Sequence, residues 1–144
     1  MNPLRPDQPL ALATEVVTTA LADAARCPVV RSFFDEATFT VSHVVRDPGS
    51  RACAIIDSVL DYDAASGRTS TTSADQLIDY VKSEGLQVQW VLETHAHADH
   101  LSAAPYLQEH LGGQLAIGRE ILTVQDVFGK IFNEGTAFKR DGSQ

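Results

Sequence analysis

Three of the five histidines in this 144-residue chain fall within six residues, in the segment Thr94-His95-Ala96-His97-Ala98-Asp99-His100. Imidazole and carboxylate are the ligands that suit zinc and iron at neutral pH. On an extended segment, side chains two residues apart point the same way. His95 and His97 would then reach one ion, Asp99 would continue their spacing, and His100 would turn toward the opposite side. Such a set serves one metal or two neighbouring metals. A solvated, histidine-rich loop accounts for any one of these residues alone, but the joint spacing H-x-H-x-D-H favours a metal site. Asp57 is a further candidate, because it closes an apolar run and precedes a polar stretch. A carboxylate there suits orienting a metal-bound imidazole, or simply capping a turn. His43 and His110 read as structural or solvated, and Asp61, Asp63 and Asp75 as solvated or capping groups.

The elements around the motif follow from periodicity. Residues 87–92 alternate at their start and read as a strand that delivers the histidines. A helix over 102–111 follows, with Pro105 tolerable only in its first turn. Gly112-Gly113 stops it, 114–117 is a short strand, and 119–132 a last helix. Upstream, Ala74, Leu77, Ile78 and Val81 make one apolar stripe, Ser73 and Gln76 fit a capping box, and Gly85 ends that helix. Residues 58–72 read as a polar loop. Residues 39–45 and 51–57 form an antiparallel hairpin across Asp47-Pro48-Gly49-Ser50, whose Pro-Gly centre fits a type II turn. Residues 1–29 form an N-terminal extension with one short helix over 12–26, and 30–144 the domain proper. An opening hairpin followed by alternating helices and strands predicts a layered α/β fold.

Composition narrows the function. The formal charge of −8 opposes nucleic-acid phosphates and anionic lipid, so neither nucleic acid nor membrane is an expected partner. An anionic small molecule stays open, since a metal dominates a pocket locally. Cys27 and Cys53 are too few and too far apart for a disulfide scaffold, Cys53 sits in an apolar run, and a cytoplasmic location is expected. No apolar stretch spans a bilayer, and the N-terminus lacks a basic region leading into an apolar one. There is no GxSxG, P-loop or dinucleotide fingerprint.

Thr94-His95-x-His97-x-Asp99-His100 resembles the signature of the metallo-β-lactamase fold. Within that superfamily, the stretch from Phe33 onward is similar to the bacterial persulfide dioxygenases. The carrying segments are Phe33-Phe34-Asp35, Ala54-Ile55-Ile56-Asp57, Leu60-Asp61-Tyr62-Asp63, Ser66-Gly67-Arg68-Thr69, Leu92 through Ala104, and Lys130-Ile131-Phe132-Asn133. The resemblance implies the N-terminal half of a four-layered αββα sandwich. It implies one Fe(II) ion and oxidation of glutathione persulfide, or another small thiol derivative, by O2 to sulfite and glutathione. It places His95 on the iron, puts His97, Asp99 and His100 around it, and makes Asp99 the catalytic carboxylate. In the related glyoxalase II hydrolases two zinc ions would replace the iron, His95 and His97 holding one and Asp99 and His100 the other, to attack a thioester.

Two departures bear on this. Ser58 stands where the family usually has Pro. The family's further metal His and bridging Asp have no counterpart after His110, so weak metal binding and little turnover are expected of these residues alone. Half a sandwich also leaves an apolar sheet face uncovered, which favours homo-oligomers. A non-catalytic half-domain is the remaining alternative.

Overall fold

The computed structural model describes residues 8–133. Helix α1 (Gln8–Ala22) and a 3-10 turn (Ala24–Arg26) precede the strands β1 (Val29–Asp35), β2 (Thr40–Arg46), β3 (Ala52–Ile56), β4 (Val59–Asp63) and β5 (Arg68–Ser70). Then come α2 (Thr72–Ser83), β6 (Gln87–Glu93), β7 (Leu101–Ser102), α3 (Ala104–Leu111), β8 (Gln114–Ile117) and α4 (Ile121–Ile131). Five strands form one sheet in the order β1-β2-β3-β6-β8, and three form a second in the order β5-β4-β7. The first three strands of the large sheet are antiparallel neighbours; β3-β6 and β6-β8 are parallel, each reached through a helix. This is the layered α/β class that the sequence predicts.

One face of the large sheet carries the core. Val44, Cys53, Ile55, Val88 and Val91 point from it onto Ala74, Leu77, Ile78 and Val81 of α2 and Ala104 and Leu107 of α3. All four stripe positions of α2 are buried, as their spacing requires. Burying a Leu or Ile fully, as at Leu77, Leu107 and Ile55, contributes about 1.5–3 kcal/mol each. The opposite face is partly bare: Phe34 is 59% and Trp90 43% exposed, with Val30 and Val41 exposed beside them. The uncovered apolar surface expected of the sheet is therefore present.

Several local expectations change. The polar loop over 58–72 is instead the β4-β5 hairpin. Val59 is fully buried there, and β4 also pairs with β7. Val29–Asp35, unassigned from sequence, pairs along its whole length with β2. Gly49 lacks the positive φ of a type II turn. The Asp47 side chain shapes that turn instead, accepting from Gly49 N at 3.2 Å and Ser50 Oγ at 2.5 Å. The capping box is absent. Ser73 is inside α2 and gives its amide and hydroxyl to Asp61 on β4, at 2.9 and 2.6 Å. Asp61 thus caps the helix from another strand, while Asp63 and Asp75 accept local hydrogen bonds. The first helix lies four residues earlier than expected, and residues 1–7 and 134–144 of the two assigned segments lie outside the described residues. No described helix is long and apolar enough to cross a membrane.

Candidate metal centre

Strand β6 is buried on the core side at Val88 and Val91, with a bulge between them. Glu93 follows Val91 by two, so its side chain is delivered toward the same side, at the strand's carboxyl end. There the chain meets Asp57, the residue that follows β3, which is held at φ +51. The Asp57 amide donates to Leu92 O (3.0 Å) and its carbonyl accepts from Ser42 Oγ (2.7 Å). This fixes the carboxylate, which accepts from Thr94 N at 2.7 Å and Thr94 Oγ1 at 2.8 Å. The grip bends the chain immediately after the strand.

Residues 94–100 are consequently a run of bends rather than an extended segment. The alternation expected of it fails at His100, while the His95 and His97 rings still lie side by side. The imidazoles of His95, His97 and His100 lie in a row, with centroids 4.2 Å apart at each step and His97 in the middle. His100 turns toward His97, not away. The His97 and His100 side chains are 8% and 0% exposed. His95 is exposed and shares a 2.8 Å contact with Thr94 Oγ1. The Asp99 side chain is 55% exposed, 3.7 Å from His97 Nδ1 and 3.4 Å from His100 Nδ1, and accepts from Thr40 Oγ1 at 3.1 Å.

The structure adds Glu93, which sequence reasoning passed over. His97 Nε2 lies 2.9 Å from Asp57 Oδ1 and 3.1 Å from Glu93 Oε2. Potential ligand atoms of Glu93, His97 and His100 all lie within 4.8 Å of one another. Thr40 is the other addition, reaching the loop from the start of β2. The signal for Glu93 was a charged residue in phase with a buried strand position. Thr40 had none, because 59 residues separate it from Asp99.

Burial pushes the Glu93 carboxyl above the usual range, only partly offset by the Ser102 hydroxyl. Burial also raises Asp57, but its hydrogen bonds from Thr94 and His97 outweigh this and leave its pKa lowered. The Asp99 carboxyl is also lowered, by its own amide and Thr40. Glu93, His95, His97 and His100 line a cleft of about 700 Å³ with Leu101, Leu115 and Ile117 among its apolar walls. Among the described residues, no Lys or Arg lines it.

This donor set suits a divalent cation. Glu93 Oε2 and His100 Nε2 are buried with no hydrogen-bond partner. Ligand bonds near 2.0–2.2 Å place ligand atoms about 3–4 Å apart, so only small side-chain adjustments separate the observed cluster from coordination.

Comparison with known proteins agrees with the site. The sequence pattern of the Metallo-beta-lactamase superfamily matches residues 36–138. The chain is 64% identical over 115 residues to a probable metallo-hydrolase of Burkholderia pseudomallei, covering 80% of this chain and 39% of that protein. It is 47% identical over 102 residues to glyoxylase B2 of Dictyostelium discoideum, covering 70% and 35%. It is 28% identical over 85 residues to the mitochondrial persulfide dioxygenase ETHE1 of Bos taurus, covering 59% and 29%. The crystal structure of ETHE1 from Myxococcus xanthus superposes with a TM-score of 0.50 at 26% identity, over 60% of this chain and 34% of that one. The chain therefore spans well under half the length of these proteins.

Proposed function

The chain belongs to the Metallo-beta-lactamase superfamily, and from that premise we propose that it contributes the histidine wall of a metal centre acting on a small sulfur-bearing substrate. Of the activities compatible with this, persulfide dioxygenation is the one we favour: GSSH + O2 + H2O gives GSH + sulfite + 2 H+. The observation that carries it is the gathering of the His97 and His100 imidazoles, 4.2 Å apart, with the Asp99 carboxylate 3.7 and 3.4 Å from their Nδ1 atoms. Two histidines and one carboxylate with open positions are typical of mononuclear iron oxygenases. His95, His97, Asp99 and His100 are the proposed metal residues, with Asp99 also the catalytic carboxylate.

An iron ion bound there would supply Lewis acidity and redox chemistry. The geometry supports a part for the protein itself. Asp57 holds Thr94 and His97 in place, and the apolar walls of the cleft would shield a reacting sulfur from bulk water. A cation would also balance the carboxylates, which no Lys or Arg does among the described residues that line the cleft.

A second reading is a dinuclear zinc thioester hydrolase of the glyoxalase II type. The 47% identity to glyoxylase B2 supports it. Metal content and turnover of the purified protein separate the two. One iron per chain with O2 uptake dependent on glutathione persulfide supports the dioxygenase. Two zinc ions with thioester hydrolysis support the hydrolase. Neither metal and neither turnover would refute both.

A further inference from the structure

We propose that Thr40 is a positioning residue of the site: together with Asp99 it holds the ring proton of His100 on Nδ1, and so leaves the Nε2 lone pair free. The inference deepens the reading of His100 as a residue of the reacting centre. It rests on that reading for its use, though not for its test.

Thr40 opens β2, and the turn before it is fixed. The Asp35 carboxylate closes that turn, accepting from Thr38 N at 2.9 Å and Thr38 Oγ1 at 2.6 Å, with Phe39 at φ +57. Alternation along β2 puts Thr40 on the side of Ser42. Ser42 Oγ donates to the Asp57 carbonyl at 2.7 Å, while Thr40 Oγ1 reaches Asp99 and His100. Two hydroxyls of one strand thus brace both ends of the site. Asp99 needs this brace, because its side chain is 55% exposed and water competes for it.

The direction of each proton follows from the partners. Thr40 Oγ1 lies 3.1 Å from Asp99 Oδ2 and 3.4 Å from His100 Nδ1. An ionised Asp99 only accepts, so the single Thr40 proton goes to it and the oxygen turns a lone pair to His100. Asp99 Oδ2 itself lies 3.4 Å from the same Nδ1. His100 Nδ1 therefore faces two acceptors and carries the ring proton, since the partner of one ring nitrogen fixes the state of the other. The lone pair is left on Nε2, which is buried with no hydrogen-bond partner, on a side chain with no exposed surface. His97 is the opposite case. Its Nε2 lies 2.9 Å from Asp57 Oδ1, so its proton stands on Nε2. Two buried imidazoles with centroids 4.2 Å apart thus hold opposite tautomers, one set by Asp57 and the other by Thr40 with Asp99.

The test is long-range 1H–15N NMR of the full chain, 15N-labelled at histidine and free of metal, at a pH where the rings are neutral. The two neutral tautomers differ in the shifts of their two nitrogens. His100 should appear as the Nδ1–H form and His97 as the Nε2–H form. Thr40→Val keeps the side chain's shape and removes the hydroxyl. It should move the His100 nitrogens toward the Nε2–H form, which free imidazole prefers, and leave those of His97 in place. Thr40→Ser keeps the hydroxyl and should keep the native pattern. Thermal melts establish that each variant is folded, and Thr40→Ala serves as the removal if valine unfolds the chain. A native His100 in the Nε2–H form overturns the inference. So does a folded Thr40→Val that keeps the Nδ1–H form, which would leave Asp99 alone in charge. A shift in Thr40→Ser equal to that in Thr40→Val, or one shared by His97, overturns it too, because the hydroxyl would then not be the cause. Metal content and turnover test the metal centre separately, so either reading can fail while the other stands.

Discussion

Asp57 is the residue whose replacement should do most to the site, and its effect divides into two parts. Its carboxylate accepts from Thr94 N, Thr94 Oγ1 and His97 Nε2 at 2.7, 2.8 and 2.9 Å. Its backbone sits at φ +51, which costs an ordinary residue about 1–2 kcal/mol. Hydrogen bonds to a charged group are worth about 1.5–3 kcal/mol each. Thr94 is exposed, so water recovers part of what it loses. Asp57→Ala should therefore cost about 3–5 kcal/mol, from lost acceptors plus backbone strain. Asp57→Gly loses the same acceptors but not the strain. After the extra unfolded-state entropy of glycine it should lie about 0.5–1 kcal/mol above Asp57→Ala. Asp57→Asn keeps one acceptor oxygen and tolerates positive φ, and should cost about 1–2 kcal/mol. For a chain of this size each kcal/mol is worth about 3–5 °C. The melting order should thus be native, Asn, Gly, Ala. The lowered Asp57 pKa also fixes the pH dependence. Its stabilisation is complete above the ordinary aspartate value of 3.8 and is lost as pH falls through the lower folded value, so the native and Asn melts should converge in acid. Asp57→Gly melting below Asp57→Ala, or a native–Asn gap that widens in acid, would refute the account.

Three further expectations follow from single residues. Ser58 is fully buried with an unpartnered hydroxyl, so Ser58→Ala should raise the melting temperature, by about 1 kcal/mol in stability; a lower value would mean that the hydroxyl is satisfied. Gly113 has φ +89, and a Cβ there would lie 3.0 Å from Val88 Cγ1 and 3.2 Å from Val88 O. Gly112, at φ +73, has open space around it, so Gly113→Ala should melt well below Gly112→Ala. The bare sheet face predicts concentration-dependent association in sedimentation velocity, reduced by Phe34→Ser; a monodisperse monomer at all concentrations would count against it.

What was legible in the sequence was mostly what is local. The α2 stripe, the strand Gln114–Ile117 and the Gly112-Gly113 stop depend on periodicity and on residues that accept positive φ, and each is where its pattern puts it. The errors share a cause. Residues 58–72 look like a loop because the strands there are short and polar, and only pairing with β7, some 40 residues later, makes a sheet of them. Ser73 has the sequence of a cap, but Asp61 supplies the capping carboxylate from a different element. At the metal loop the ligand types were readable while their directions were not. The bend that gathers the three imidazoles is imposed by Asp57, 37 residues before Thr94.

The electrostatics of the site bear on why so acidic a chain gathers its histidines here. Around His97 stand Asp57, Glu93 and Asp99, each within 3.7 Å of a ring nitrogen. Glu93 is held above the usual carboxyl range by burial, so ionising it at neutral pH costs folding stability. That penalty is absent below the ordinary glutamate pKa, grows as pH rises above it, and is full only above the raised folded value. A fold selected for stability alone would place an apolar residue at this strand position, as it does two residues earlier at Val91. Retaining a buried carboxylate beside two buried imidazoles makes sense if a cation offsets the cost when it binds. Removing the charge should then have opposite effects in the two states, with Glu93→Gln raising the melting temperature of the metal-free chain and lowering that of the Zn(II)-loaded one. A residue kept only for packing or for its bond to Ser102 would lower both.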